Sequence, residues 1–349
     1  MLPTLRIAIA GLFLCVSALA AGQYVPAQNI HPGSAAIRLD SSFQSDAWLV
    51  YTYDIDEEGS VSDATIRSSN GVLEVEQAVL QQLKTMRFRP AMRGGTPVAS
   101  SAPPVTYTWI LDARRELSPR FAELYRQAWD HYAREDYSAT GDIAVLLRDF
   151  PGRNALEEVK ARLLSASLAG KIGDSASELR HLQRVAQLQD LAIDNNFNNR
   201  YVPNEQYLQV LKRIQQLQLD SGLLADAEAT LARIRRLGGA SPAVSEAAVA
   251  YSAGEAVLRA QQQVLTAGEL QALYPGGPGA WRAGLFRRAF ALVDVSGSID
   301  GVFLVCGSQE RLLRYPSPGN WLVPAGWSNC EIDITGQAGT RFTLRQLQQ

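Results

Sequence analysis

Histidine and cysteine are scarce, with three of each in 349 residues. His31, His131 and His181 all stand away from any cysteine or paired acid at ligand spacing, and no HExxH occurs, so metal chemistry finds no ligand set. The Gly-x-Ser-x-Gly elbow of a serine hydrolase is missing. VSGSIDG, around Ser296 and Ser298, is only a loose likeness and falls between strand signals, as a hairpin connection. The glycines of PGGPG lack both the strand-to-helix setting and the lysine of a phosphate loop. Charge is not skewed either: 33 basic side chains face 35 acidic ones with no basic stripe, which offers a nucleic acid no footprint. After residue 21 no apolar run is long enough to span a bilayer. No cofactor, metal or nucleic acid is expected. Glu157 and Glu158, adjacent on a helical stretch, point to different sides and are expected in solvent.

The chain opens MLPTLRIAIAGLFLCVSALAAGQ. One basic residue, Arg6, precedes an apolar run that ends in small residues, with Ala18-Leu19-Ala20 as a cleavage signal. That is the form of a secretory signal peptide over residues 1–21, and an uncleaved anchor is the alternative. Cys15 follows Leu12-Phe13-Leu14 rather than small residues, so it is expected to leave with the leader instead of carrying lipid. The exported chain then has 32 basic and 35 acidic side chains, a formal charge of -3. Its two cysteines, Cys306 and Cys330, are expected to form a disulfide in an oxidising compartment, with two buried thiols as the alternative.

Three segments follow. In the first, 40–113, AWLVYTYDI and VSDATIRSS read as strands, with Val61, Ala64 and Ile66 as inward positions of the second. LEVEQAVLQQLKTMRF shifts to helical spacing, with Leu73, Ala78, Leu80, Leu83 and Met86 near one stripe, and Pro90 ends the helix. PPVTYTWIL alternates strictly: Val105, Tyr107, Trp109 and Leu111 face one way, Thr106 and Thr108 the other. The second segment, 117–273, is rich in Ala, Leu, Gln and Arg with helical periodicity. Helix pairs are expected about turns at Gly173-Asp174 and Ser221-Gly222, and a third pair between Ser241 and Leu273. Such pairs resemble a tetratricopeptide-like solenoid, with an irregular bundle as the alternative. Tyr125, Trp129 and Tyr132 share one face, which is ordinary for core packing. PGGPGAW, 275–281, is a linker by composition, and residues 280–349 carry short strand signals of a small all-β module. The fold class is thus α+β and multidomain: a small two-layer α/β module, a helical solenoid or bundle, and an all-β module.

DIDEEGSVSD, 54–63, has acids at alternate positions before a glycine, like the start of a calcium loop. The bidentate Glu that an EF-hand needs at its twelfth position is Thr65 here, and the flanks are strand-like. A hairpin tip at Asp56–Gly59 is the better reading.

The order of features in the first segment carries more than any one of them. An acidic turn with Asp56 and Gly59 is followed by Val61, Ser68-Ser69 with Gly71, then Leu73 and Ala78. Phe88-Arg89-Pro90-Ala91, a turn with Gly95, Pro97 and Val98, and the strand from Thr106 to Leu111 complete the series. This series resembles the C-terminal domain of the TonB family, over under a fifth of the chain. Met86 and Glu74 depart from residues common there. Energy-transducing members set this domain behind a retained membrane helix and a Pro-rich spacer. Here there is no such spacer and two further segments follow, which favours contact alone. The resemblance implies docking of an extended segment of an envelope protein, such as an outer-membrane transporter, as an added strand. The docking edge is then the last strand, with Val105, Tyr107, Trp109 and Leu111. Closure of that edge by another part of the chain or by a second copy, as a homodimer, is the alternative.

Two functions of different class follow. One is a non-enzymatic periplasmic interaction protein of a Gram-negative envelope. The other is a periplasmic enzyme or glycan-binding protein with its site in the all-β module, where Trp281, Trp321 and Trp327 would stack on sugar rings.

Overall fold

The computed structural model describes residues 24–30, 45–102, 104–112, 116–197, 200–307, 309–317 and 319–348. The expected leader at 1–21, Cys15 and His31 lie outside the described residues. The architecture is mixed α and β, with eight helices among those residues and several separate sheets.

Two short strands, β1 (Tyr24–Val25) and β2 (Gln28–Asn29), precede the first module. Its hairpin is β3 (Ala47–Ile55) and β4 (Val61–Ser69). The acidic stretch is the hairpin tip. Asp56 Oδ1 accepts from the amides of Glu58 (3.1 Å) and Ser60 (2.7 Å), so its carboxylate serves its own turn. Gly59 has φ +81, and a side chain there would overlap the Phe88 carbonyl oxygen. Helix α1 (Leu73–Thr85) lies over the sheet. Short strands β5 (Phe88–Arg89), β6 (Ala91–Arg93), β7 (Thr96–Val98) and β8 (Ser100–Ser101) lead to β9 (Val105–Trp109). β3 is central: β4 pairs along one side of it, and β8 and β9 along the other. The buried stripe of α1 is Val75, Val79 and Leu83, at i, i+4 and i+8. It packs on Ala47, Leu49 and Tyr51 of β3. Leu73, expected in that stripe, is the first helical residue and stands exposed, because the face turned to the sheet is the one through Val75, Val79 and Leu83. The helix stops at Thr85, ahead of Pro90, as the chain returns to extended backbone at Met86.

Seven helices follow: α2 (Pro119–Ala133), α3 (Tyr137–Arg148), α4 (Ala155–Ile172), α5 (Ser175–Asp194), α6 (Asn204–Asp220), α7 (Leu224–Gly238) and α8 (Pro242–Ala260). Each packs on the next in sequence. Their ends are set by local chemistry. Asn154 and Glu157 form a reciprocal capping box at the start of α4, Gly173 closes it in the left-handed region, and Asp174 caps α5. The aromatic run is core packing: Phe121, Tyr125, Trp129, Tyr132 and Tyr137 touch ring to ring along α2 and onto α3. The expected third helix pair is corrected. After α8 the sequence QVLTAGE alternates buried and exposed residues as a strand, a period of two hidden in an Ala- and Gln-rich stretch.

That strand, β10 (Gln263–Glu269), opens the all-β module. It continues through β11 (Gln271–Ala272), β12 (Pro278–Gly284), β13 (Ala289–Ser296), β14 (Ile299–Cys306), β15 (Gln309–Leu313), β16 (Trp321–Leu322), β17 (Cys330–Gln337) and β18 (Arg341–Leu347). Two sheets, ordered β10-β18-β13-β16 and β11-β12-β17-β14-β15, enclose one apolar core that includes Phe290, Leu304, Ile332 and Leu344. PGGPG is therefore the tip of the β11–β12 hairpin rather than a linker between domains. SGSID likewise joins strands of different sheets and makes no hairpin. Cys306 and Cys330 stand opposite each other on β14 and β17 and form a disulfide. Arg287 ties this module to the helices, donating to the carbonyls of Leu258 (2.8 Å) and Gln261 (2.6 Å) at the end of α8.

Candidate interaction edge

Strand β9 is built by alternation. Val105, Tyr107 and Trp109 turn into the core under α1 and are half-buried, while Thr106 is exposed. Their side chains thus anchor the strand, and what it offers outward is backbone. Among the described residues β9 pairs with β3 alone, through the register Ala47–Trp109 to Tyr51–Val105. Among the described residues no strand pairs along its other side, and such an edge is of the kind that accepts an added strand. Burial pushes the Tyr107 phenol up to about 12. Burial, with smaller contributions from Tyr53 and Tyr107, does the same for Tyr51. Both phenols stay neutral at ordinary pH, and the strand carries no charged residue.

Leu111 does not belong to the strand. β9 ends at Trp109, Ile110 is buried in the core of the helical segment, and the Leu111 amide donates to Asp46 Oδ1 at 3.0 Å. The alternation predicted from sequence breaks there because the chain leaves the sheet to enter the helices.

The edge is held in place by residues that sequence reasoning passed over. Asp46, buried just ahead of β3, accepts from Leu111 through one oxygen and from the amide of Ala155, at the start of α4, through the other (2.9 Å). Asn70, also buried, accepts from the Trp48 amide (3.1 Å) and donates to the carbonyls of Asp46 (3.0 Å) and Arg153 (3.1 Å). Its own carbonyl accepts from Gly152 at 2.8 Å. Trp48 lies on the sheet face turned away from α1, beneath the guanidinium groups of Arg153 (5.2 Å) and Arg184 (5.7 Å). On the same face Arg67 lies over the ring of Tyr274, at the β11–β12 tip. Both other segments therefore reach this sheet.

Both arginines over Trp48 pair with Glu158, which corrects the expectation of solvated glutamates. Glu157 and Glu158 are 2 % and 1 % exposed. Glu157 accepts from the amides of Ser118 (2.7 Å) and Asn154 (3.0 Å). Glu158 pairs with Arg153 (2.6 Å), Arg162 (2.8 Å) and Arg184 (3.5 Å). Burial pushes its carboxyl up, but Arg162, Arg153 and Arg184 together outweigh that and hold it at about 2. The Glu158–Arg162 spacing of four was legible as a helical pair. Arg184 is brought in by the packing of α5 on α4, and no local signal announces it.

The tryptophans of the all-β module are packed rather than lined up. Trp281 meets Phe342 edge to face at 5.1 Å, and Trp321 lies against Phe290 (5.6 Å) and Tyr315 (6.5 Å). Trp327 packs on the same core. The groove beside Trp321 has no carboxylate among its lining residues.

Compared with known families, residues 47–111 match the one described as Gram-negative bacterial TonB protein C-terminal. The matched span runs from the first residue of β3 to Leu111, the unit that Asp46 closes. The match covers this unit alone, under a fifth of the chain, and suggests an envelope protein-interaction role for it. No curated protein matches the chain. No helix among the described residues is long and apolar enough to cross a membrane.

Proposed function

We propose that this chain is a non-enzymatic periplasmic interaction protein that captures an extended segment of an envelope partner on the outer edge of β9. The carrying observation is that edge itself: a neutral strand, side chains anchored inward, paired on one side only among the described residues. Added-strand binding draws affinity from main-chain hydrogen bonds, and here the flanking strand is fixed by its neighbours, so little ordering is required on binding. The helical segment, a solenoid of paired helices in this reading, fixes the orientation of the edge and adds a second contact surface. The partner is an envelope protein with a short, uncharged β-prone segment, such as an outer-membrane transporter.

A photo-reactive residue at Thr106, whose side chain is exposed on β9, tests this in cells. The expected result is cross-linking to one discrete envelope protein through an extended segment, and none from the same residue at Val249, exposed on α8. Cross-links only to a second copy of the chain, or equal yields from both positions, overturn the reading.

A further inference from the structure

A cleft of about 740 Å³ opens where the first turns of α5 and the α6–α7 turn meet β10, β12 and β18. It lies between the helical segment and the all-β module, and its size falls within the roughly 300–1,000 Å³ of small-molecule sites, which favour such boundaries. Nothing in the interaction reading uses it.

Its floor is aromatic. Trp281 lines the cleft, braced by the ring of Phe342. The charged walls balance in number, with Arg180, Arg282 and Arg341 against Asp226, Glu269 and Asp294, and most of these groups are engaged from within. Arg282 forks onto Asp333 and reaches Glu331 at 3.4 Å, and Arg341 pairs with Glu269 at 3.2 Å. Asp226 is tied to the Gly284 amide at 3.0 Å, and burial pushes its carboxyl up, toward the neutral form. A charged ligand set on Arg282, Arg341 or Asp226 would have to displace the partner there, and three formal cations matched by three carboxylates give the cleft no net charge to draw one in. A hydroxyl donates and accepts alike, so it can use the remaining N–H groups and lone pairs without breaking any of these pairs. Gln183 and Arg180 add planar donors from the helical wall, Arg180 otherwise bonding the Ser177 hydroxyl.

We propose that this interdomain cleft binds a neutral, hydroxyl-rich ligand, a short oligosaccharide, with the C–H face of a sugar ring on Trp281 and its hydroxyls on the paired guanidinium and carboxylate groups. Apolar body and polar rim are the two halves of such a ligand, and the cleft supplies both in one place. Trp281, one of the three tryptophans expected to stack on sugars, lines a space shared with acids and bases, because the meeting of two domains, not the β module by itself, makes the cavity.

The test uses the full chain as secreted, with chitotetraose and maltotetraose as probes, titrated by calorimetry and followed by ligand-observed NMR. At least one tetraose binds with a millimolar or lower dissociation constant. Trp281→Ala weakens it by about tenfold or more, as does Arg180→Ala combined with Gln183→Ala, which alters only a helix surface and leaves the core intact. Leu322→Ala, on the exposed side of β16, leaves binding unchanged. The proposal is overturned if neither tetraose binds, if binding survives both cleft variants, or if tetra-alanine peptide binds more tightly than either sugar. Cross-linking from position 106 is expected to be the same in the Arg180→Ala/Gln183→Ala protein, so the two sites stand or fall separately.

Discussion

Glu158 shows how one side chain can decide an interface. A carboxylate 1 % exposed is costly to bury, and three guanidinium groups from α4, α5 and the loop before α4 offset that cost. Glu158→Gln keeps the shape and removes the charge, leaving three arginines without their counter-ion. A loss of about 3 kcal/mol in urea unfolding is expected, with Trp48 fluorescence changing as its cover loosens. The pH profile follows from the same residue. The folded carboxyl is held at about 2, below its ordinary 4.5, so its stabilisation is complete above pH 4.5 and is lost as pH falls toward 2. His181 adds an earlier slope. Burial first, then Arg162, Arg148 and Arg180, against an opposing pull from Glu158, hold it at about 4 rather than 6.5. The unfolded chain takes up that proton first, so stability declines as pH falls from 6.5 to 4. Unfolding midpoints measured from pH 7 to pH 3 should show both slopes in the native chain. His181→Gln should remove the upper one and Glu158→Gln the lower.

At the scale of elements, helix α1 separates what periodicity tells from what it leaves open. LEVEQAVLQQL carries two candidate stripes, one through Leu73 and Leu80 and one through Val75, Val79 and Leu83, which share Leu83. Hydrophobicity favours the leucines, but packing on Ala47, Leu49 and Tyr51 of β3 takes the valines. Leu83→Ala is expected to cost about 2–5 kcal/mol, and Leu73→Ala, at 63 % exposure, almost nothing. Thermal unfolding of the two variants checks the contrast; equal effects would mean that α1 sits on its other stripe. Strands with strict alternation, turns with a left-handed glycine and the hairpin tip at Asp56 were legible because a few neighbouring residues determine them. The strand at 263–269 was not, because Ala, Gln and Gly blur a period of two and only its pairing with β18 makes it a strand. Leu111 was misplaced for a similar reason: the end of an alternating run is set by where the chain must go next.

At the scale of the whole chain, the contacts that join the segments were the least legible. Asp46, Asn70 and Arg153 are ordinary in sequence, and their meaning comes from partners as far as 109 positions away. The disulfide between Cys306 and Cys330 was legible from count, since these are the two cysteines other than Cys15, which was expected in a leader. Asp46→Ala is expected to raise amide exchange at Leu111 and Ala155 while the β3–β4 pairs keep theirs. Hydrogen bonds to a charged acceptor contribute about 1.5–3 kcal/mol, so the change should be clear in exchange mass spectrometry. A uniform loss of protection through β3 and β4 would instead assign Asp46 to the folding of the module itself.

Asp46 has one more consequence. A single carboxylate stands beside the entry to β3 and holds the amide at the exit after β9, so the chain leaves this unit close to where it enters. A unit whose ends meet is a cassette, and another of equal span put in its place would also have to supply the strands on which β1 and β2 pair, β6 and β5. The patch beneath Trp48 and Asn70 is the socket it plugs into, and any replacement would have to match that socket as well as the gap.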